Sequence, residues 1–98
     1  MYIELKYTEP LLFEYDPNKS ISNLNKHGID FEQAKLLWED DQRVTLVSRS
    51  DIELRYLTIG KLNGKHWSAF FTMRNDTIRL ISVRRSRKKE ISCYEKHH

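Results

Sequence analysis

The sequence predicts an α+β fold in which two helices precede a four-stranded, or larger, antiparallel meander and a third helix closes the chain. Three observations predict it. Helix-boundary residues bracket positions 17 to 27, and the apolar period changes from helical to strand-like after the acidic break Glu39-Asp40-Asp41. The dipeptides Asn63-Gly64 and Asn75-Asp76 then divide the strand-like half as hairpin turns do.

Ile3, Leu5 and Tyr7 alternate with Glu4 and Lys6 as in a half-buried strand, and Leu11 to Tyr15 reads as a second short strand after Pro10. Asp16-Pro17 opens the first helix. An N-cap Asp accepts a backbone N–H that has no helical partner, and Pro at the next position loses no hydrogen bond. Lys26-His27-Gly28 ends that helix, with cations complementing the dipole and Gly taking the left-handed conformation. Ile21 and Leu24, three residues apart, are expected to form its buried stripe.

The second helix follows at once. Asp30 and Gln33 have capping-box spacing, Ile29 is placed to staple onto Ala34, and Phe31, Ala34, Leu37 and Trp38 form a stripe ending near Glu39. Val44 to Ser48, Leu54 to Leu62, Lys65 to Met73 and Thr77 to Val83 are the expected strands, with Ser50-Asp51 as the first turn. Alternation groups Trp67, Ala69, Phe71 and Met73 on one side as the surface that receives both helix stripes. It also places Arg79 with Ile81 and Val83. Ser86 is expected to cap a last helix running through Tyr94.

Composition narrows the function. A chain of 98 residues, 39% hydrophobic and 32% charged, reads as a single domain over residues 1–98 whose functional site is a shallow groove rather than a deep cavity. No apolar run approaches a membrane span, the start has no secretory pattern, and a lone cysteine, Cys93, forms no internal disulfide, so a cytoplasmic protein is expected. The net charge of +3 is unevenly placed. Residues 77–98 carry seven Lys/Arg against two Glu, or +5, while the first 76 residues sum to −2. Such asymmetry points to an anionic partner, most commonly nucleic acid.

No metal or cofactor is expected. His27, His66, His97 and His98 lack zinc-site spacing, and no strand is followed by a glycine-rich phosphate loop. His97-His98 resemble the remnant of a purification tag and are given no weight. Cys93 reads as a half-buried packing residue. Arg87, Lys88 and Lys89 fall in the first turn of the last helix, where cations oppose the macrodipole. A phosphate held there with Arg84 and Arg85 removes the conflict; an acidic partner or plain solvation is the alternative. Arg55 and Arg79 sit in apolar strands, so each guanidinium needs a carboxylate such as Asp51, Glu53 or Asp76, the open rim of the sheet, or a ligand. His27 either closes its helix or transfers protons near neutral pH.

Taken together, Phe13-Glu14-Tyr15-Asp16-Pro17-Asn18-Lys19, Asn23 and Asn25-Lys26-His27-Gly28-Ile29-Asp30-Phe31 with Ala34 resemble the opening of the BrnT toxins. Arg55-Tyr56 before Ile59-Gly60 is similar to that family's strand motif. Ile78-Arg79-Leu80-Ile81-Ser82-Val83-Arg84, with Glu90 and Tyr94-Glu95, is similar to its closing strand and helix. The resemblance covers residues 13 to 95 in matching order. It implies a RelE-like fold and a metal-independent, cofactor-free endoribonuclease that inhibits translation as the toxin of a type II toxin–antitoxin pair. The implied partners are RNA and a BrnA-like ribbon-helix-helix antitoxin, which alone contacts operator DNA, and no membrane. On this reading Arg55, Arg79 and Arg84 stabilise phosphorane charge and Lys26 and His27 transfer protons. Arg85, Arg87, Lys88 and Tyr94 are the candidates for binding flanking RNA, with Tyr94 either reaching the groove or simply packing. A basic nucleic-acid-binding module without catalysis, or a degenerate toxin-like subunit, is the competing expectation.

Overall fold

The computed structural model describes residues 2–7, 9–48 and 51–97, so Ser50 of the expected Ser50-Asp51 turn and the terminal His98 lie outside the described residues. Strands β1 (Tyr2–Ile3), β2 (Phe13–Glu14), β3 (Val44–Ser48), β4 (Arg55–Leu62), β5 (Lys65–Arg74) and β6 (Thr77–Arg85) form one sheet in the order β1-β3-β4-β5-β6-β2. The helices are α1 (Pro17–His27), α2 (Phe31–Ala34), which tightens into a 3₁₀ turn over Lys35–Glu39, and α3 (Lys88–Lys96). The α+β class and the β3–β6 meander therefore agree with the sequence reading. Its two early strands shrink to two-residue edges: β1 pairs antiparallel with β3, and β2 lies parallel to β6.

Local chemistry explains why the helix boundaries are legible. The Asp16 carboxylate accepts the Asn18 N–H at 2.9 Å, and Gly28, at φ 78°, donates to the Leu24 carbonyl at 2.9 Å. In α2 the Gln33 N–H donates to Asp30 Oδ1 at 2.8 Å and the Asp30 N–H to Gln33 Oε1 at 3.0 Å, completing the capping box. The dipeptide turns hold positive φ at Asn63, Asn75 and Asp76, as two-residue hairpins require.

The two N-terminal helices dock by different means. Phe31, Ala34, Leu37 and Trp38 are buried against Trp67, Ala69, Phe71, Ile78, Leu80 and Val83, as their stripe predicts. Gly60 lets this segment approach, because a Cβ there would stand 3.2 Å from the Leu37 carbonyl oxygen. Helix α1 departs from expectation. Ile21 is 60% and Leu24 44% exposed, whereas Ser20 and Asn23 are buried. Asn23 donates to the Ile29 and Val83 carbonyls at 2.8 Å and accepts from the Val83 N–H at 3.0 Å. Ser20 Oγ accepts the Phe31 N–H at 2.9 Å, one of the first-turn donors that α2 cannot satisfy itself. Strand β2 reaches only Phe13–Glu14 along β6, so Asn23 takes the place of a missing neighbour at Val83. Backbone hydrogen bonding, not the apolar pair, sets the rotation of α1.

A β-bulge interrupts β6. Phe70 pairs with Ser82 and Phe71 with Leu80, leaving Ile81 without a cross-strand partner. Ile78, Leu80 and Val83 consequently all enter the inner core, and Arg79 does not share a side with Val83 as strict alternation requires.

Helix α3 lies on the opposite, outer face. Tyr94 and half-buried Cys93 pack with Val44, Leu46, Leu57, Ile59 and Phe70. The helix begins at Lys88 with Arg87 at the N-cap, one residue later than the expected Ser86 cap. Ser86 Oγ is instead 2.8 Å from Ser68 Oγ, and Glu90 Oε1 accepts the Arg87 N–H at 2.8 Å. Tyr94 donates its hydroxyl to Asp40 Oδ2 at 2.7 Å, and the same oxygen accepts the Lys61 N–H at 2.8 Å. Among the described residues no helix is long and apolar enough to cross a membrane.

Candidate functional site

Cross-strand partners point to the same side of a sheet, so the register locates the arginines. Ser48 faces Arg55, Leu57 faces Phe70, Phe70 faces Ser82, Ser68 faces Arg84 and Thr72 faces Arg79. Arg55, Arg79 and Arg84 therefore share the outer face. The bulge at Ile81 is what allows Arg79 and Arg84 to do so. Helix α3 covers the Arg84 end of this face and leaves the Arg55 and Arg79 end open.

Arg84 is enclosed by protein acceptors. Its two terminal nitrogens each lie 2.8 Å from a Glu90 carboxylate oxygen, one also donates to the Arg85 carbonyl at 3.1 Å, and the guanidinium stacks 5.1 Å from the Phe70 ring centre. Glu90 further accepts from Ser68 Oγ at 2.9 Å and from the Arg87 N–H. Burial alone would raise the Glu90 carboxyl, but Arg84, the Arg87 N–H and Ser68 together hold it below the ordinary glutamate value. The cations at the start of α3 thus meet an anion belonging to the chain itself: Glu90, in the first turn, supplies the negative charge that the dipole favours.

Arg79 donates to Glu14 Oε2 at 3.0 Å, with both side chains partly exposed. Its partner is none of Asp51, Glu53 or Asp76, because the parallel pairing of β2 sets Glu14 directly opposite Arg79. Arg55 lies 3.8 Å from Glu53, too long for a hydrogen bond, and its buried Nε finds no partner among the described residues. The Thr72 hydroxyl, in a residue 3% exposed, likewise finds none among them.

The remaining candidates separate. Lys26 and His27 line a shallow cleft of about 200 Å³ between α1 and β6, together with Asn23, Ile81 and Ser82. Ser82 is an outer-face position, so this cleft adjoins the arginine face along the edge of β6. Arg85 points to the inner side, its guanidinium 5.5 Å from the Trp67 ring centre. Arg87 and Lys88 are exposed at the start of α3. Tyr94 is 4% exposed and bonded to Asp40; burial first, and then that carboxylate, push its phenol well above the ordinary value. It anchors α3 and offers no open ring to a base.

A larger concavity of about 510 Å³ lies at the other edge of the sheet, bounded by Tyr2 to Leu5 and by Asp41 to Thr45, and contains none of the candidate residues. Glu14, Ser68 and Thr72 are not among the site residues that the sequence suggests. Nothing local marks them, since each gains its role from a pairing across the sheet, whereas Glu90 stands at capping-box distance from Arg87. Among the described residues no three His, Cys, Asp or Glu side chains are grouped to hold a metal ion.

No curated protein matches the chain significantly. A family model described as the ribonuclease toxin BrnT of type II toxin–antitoxin systems matches residues 15–90, a span containing Lys26, His27, Arg55, Arg79, Arg84 and the Glu90 that holds Arg84. With three arginines on one sheet face and a match over most of its length, the chain belongs to the BrnT family of ribonuclease toxins.

Proposed function

We propose that this protein is a metal-independent endoribonuclease with a RelE-like arrangement, acting in the cytoplasm on RNA and inhibiting translation. The observation that carries the reading is the clustering of Arg55, Arg79 and Arg84 on one face, with Lys26 and His27 at its β6 edge. RNA brings its own nucleophile. Its 2′-oxygen attacks the adjacent phosphorus as a base removes the 2′-proton, and the P–O5′ bond breaks as an acid protonates the departing 5′-oxygen. The products are a 2′,3′-cyclic phosphate and a 5′-hydroxyl. Guanidinium groups supply the charge stabilisation that the dianionic phosphorane needs. Lys26 and His27 are the proton-transfer candidates, and Arg87 and Lys88 contact flanking phosphates. A BrnA-like ribbon-helix-helix antitoxin occupies the basic face and alone engages operator DNA.

Incubation of purified protein with total RNA, with and without EDTA, tests the reading. Cleavage to cyclic-phosphate ends in both arms supports it; loss of cleavage with EDTA removes metal independence. Retention of RNA without cleavage in either arm favours a binding module. That second reading has one observation in its favour, the engagement of Arg79 and Arg84 by Glu14 and Glu90. Expression of the chain alone is expected to slow growth and co-expression with an adjacent antitoxin frame to relieve it. His27→Ala flattens the pH–rate profile near neutrality if His27 moves the proton, and leaves its shape unchanged if His27 only ends α1.

A further inference from the structure

We propose that Arg55, Thr72 and Arg79 form a seat for one phosphodiester group of the RNA, with the Thr72 hydroxyl as the donor between the two guanidinium groups. The proposal rests on the ribonuclease reading and specifies where on the basic face the backbone binds.

The donors on this face are unequally committed. Arg84 has its terminal nitrogens committed to Glu90 and to a carbonyl, and its face to Phe70. The opposite end of the face is left with unused capacity. Among the described residues, the buried side-chain polar atoms without a hydrogen-bond partner are Arg55 Nε and Thr72 Oγ1. They belong to one row. Thr72 is the registered partner of Arg79, and the β4–β5 ladder continued one step past Tyr56↔Phe71 sets Thr72 beside Arg55. Adjacent positions in such a row have Cβ atoms roughly 4.5–5.5 Å apart, so the two arginine side chains flank the hydroxyl.

Buried polar atoms rarely remain unpaired, and a hydroxyl and a guanidinium N–H sharing one row invite a common acceptor. A phosphodiester oxygen pair meets that need, because it presents several acceptors to forked donors. The remaining competitor is Glu14. Its pair with Arg79 is partly exposed on both sides, 31% and 41%, so a phosphate displaces the carboxylate against a weak opposing interaction. Glu14 thereby keeps Arg79 oriented when the seat is empty. The Arg84 end is the harder place for a first phosphate, which there must compete with Glu90, itself held by four donors.

The test reads the arginine Nε–Hε signals by ¹⁵N NMR during titration with inorganic phosphate, at constant ionic strength set with chloride. The Arg55 and Arg79 signals are expected to move saturably while that of Arg84 moves little. Thr72→Val keeps the branched shape and strand preference but removes the hydroxyl, and should weaken phosphate binding by at least about tenfold, the scale of a hydrogen bond to a charged group. Thr72→Ser should bind within a few-fold of wild type. Arg55→Lys keeps the charge without Nε–H and should also weaken binding, so the seat stays falsifiable even if a Thr72 variant unfolds. A second arm adds an RNA oligonucleotide with 2′-O-methyl sugars, which has no free 2′-hydroxyl to attack its own phosphate; it should displace phosphate from the same signals. A silent Arg55 signal, or Thr72→Val binding phosphate like wild type, overturns the seat. Phosphate that the oligonucleotide does not displace overturns its assignment to RNA. Because neither arm depends on turnover, a protein that passes both and yet cleaves no RNA removes the ribonuclease reading while the phosphate seat stands.

Discussion

The inner and outer faces of the sheet are built from alternate residues of the same strands, yet they are held by different physics. Inside, Trp67, Ala69, Phe71, Ile78, Leu80 and Val83 close against α2 with almost no exposed surface. Outside, apolar packing stops where α3 stops, and the rest of the face is polar: Ser48, Arg55, Thr72 and Arg79. The difference teaches that β5 and β6 carry stability on one side and, on the ribonuclease reading proposed above, chemistry on the other. Substitutions one residue apart should therefore fail in different assays.

The largest effect expected is on the inner face. Phe71→Ala removes a fully buried ring that meets Trp38 edge-on, and should destabilise the fold by about 3–5 kcal/mol in denaturant melts. The outer face ranks next. Arg79→Ala should raise the barrier to single-turnover RNA cleavage by about 2–4 kcal/mol, the scale of losing one preorganised donor, while the melting temperature moves little because the Arg79–Glu14 pair is partly exposed. Arg79→Lys should restore binding of uncleaved RNA better than cleavage. An Arg79→Ala protein that unfolds, or that cleaves at the wild-type rate, would collapse the distinction between the faces.

A smaller effect probes the junction where α3 meets the arginines. Glu90 has a folded pKa below the ordinary value of about 4.3, so it contributes stability above that pH and loses it as pH falls through the lower folded value. Wild-type protein should therefore lose stability below about pH 4 more steeply than Glu90→Gln, which should already be weaker at pH 7 by about 1–3 kcal/mol. Thermal melts from pH 7 to pH 3 decide it, and parallel curves for the two proteins would show that the Arg84–Glu90 pair does not fasten α3. The smallest effect belongs to α1. Ile21→Gln and Leu24→Gln should each change stability by less than about 0.5 kcal/mol, as exposed positions do, and a loss near 2 kcal/mol in equilibrium unfolding would restore them to the core.

What is legible in the sequence is whatever chemistry acts over a few residues. Asp16-Pro17 with Gly28, the Asp30–Gln33 box and the Asn63-Gly64 turn each specify their own conformation, and each stands where the sequence puts it. The limits of the four later strands, β3 to β6, are close for the same reason. Most of the misses involve partners distant in sequence; Glu90, six residues from the Arg84 it holds, is the local exception. Nothing near Ile21 reveals that Asn23 will bond to Val83, 60 residues away, and turn the apolar pair outward. Nothing near Arg79 announces Glu14, 65 residues away. The arginines themselves are legible because charge inside an apolar strand demands an explanation, but their shared face depends on an irregularity that composition does not encode.

That irregularity gives β6 a phase. Arg79 and Arg84 are five positions apart, an odd separation, and an unbroken strand of period two would show them on opposite sides. The unpaired Ile81 shifts the count by one. Deleting Ile81 would close the bulge and leave the two arginines four positions apart, still on one face, whereas straightening the strand with every residue kept would carry Arg84 to the side now held by Val83 and send α3 off the wrong side of the sheet. What keeps the two arginines together is thus the bulge itself, one residue between them that β5 does not count, and any change that flattens β6 without shortening it would separate them while altering neither side chain.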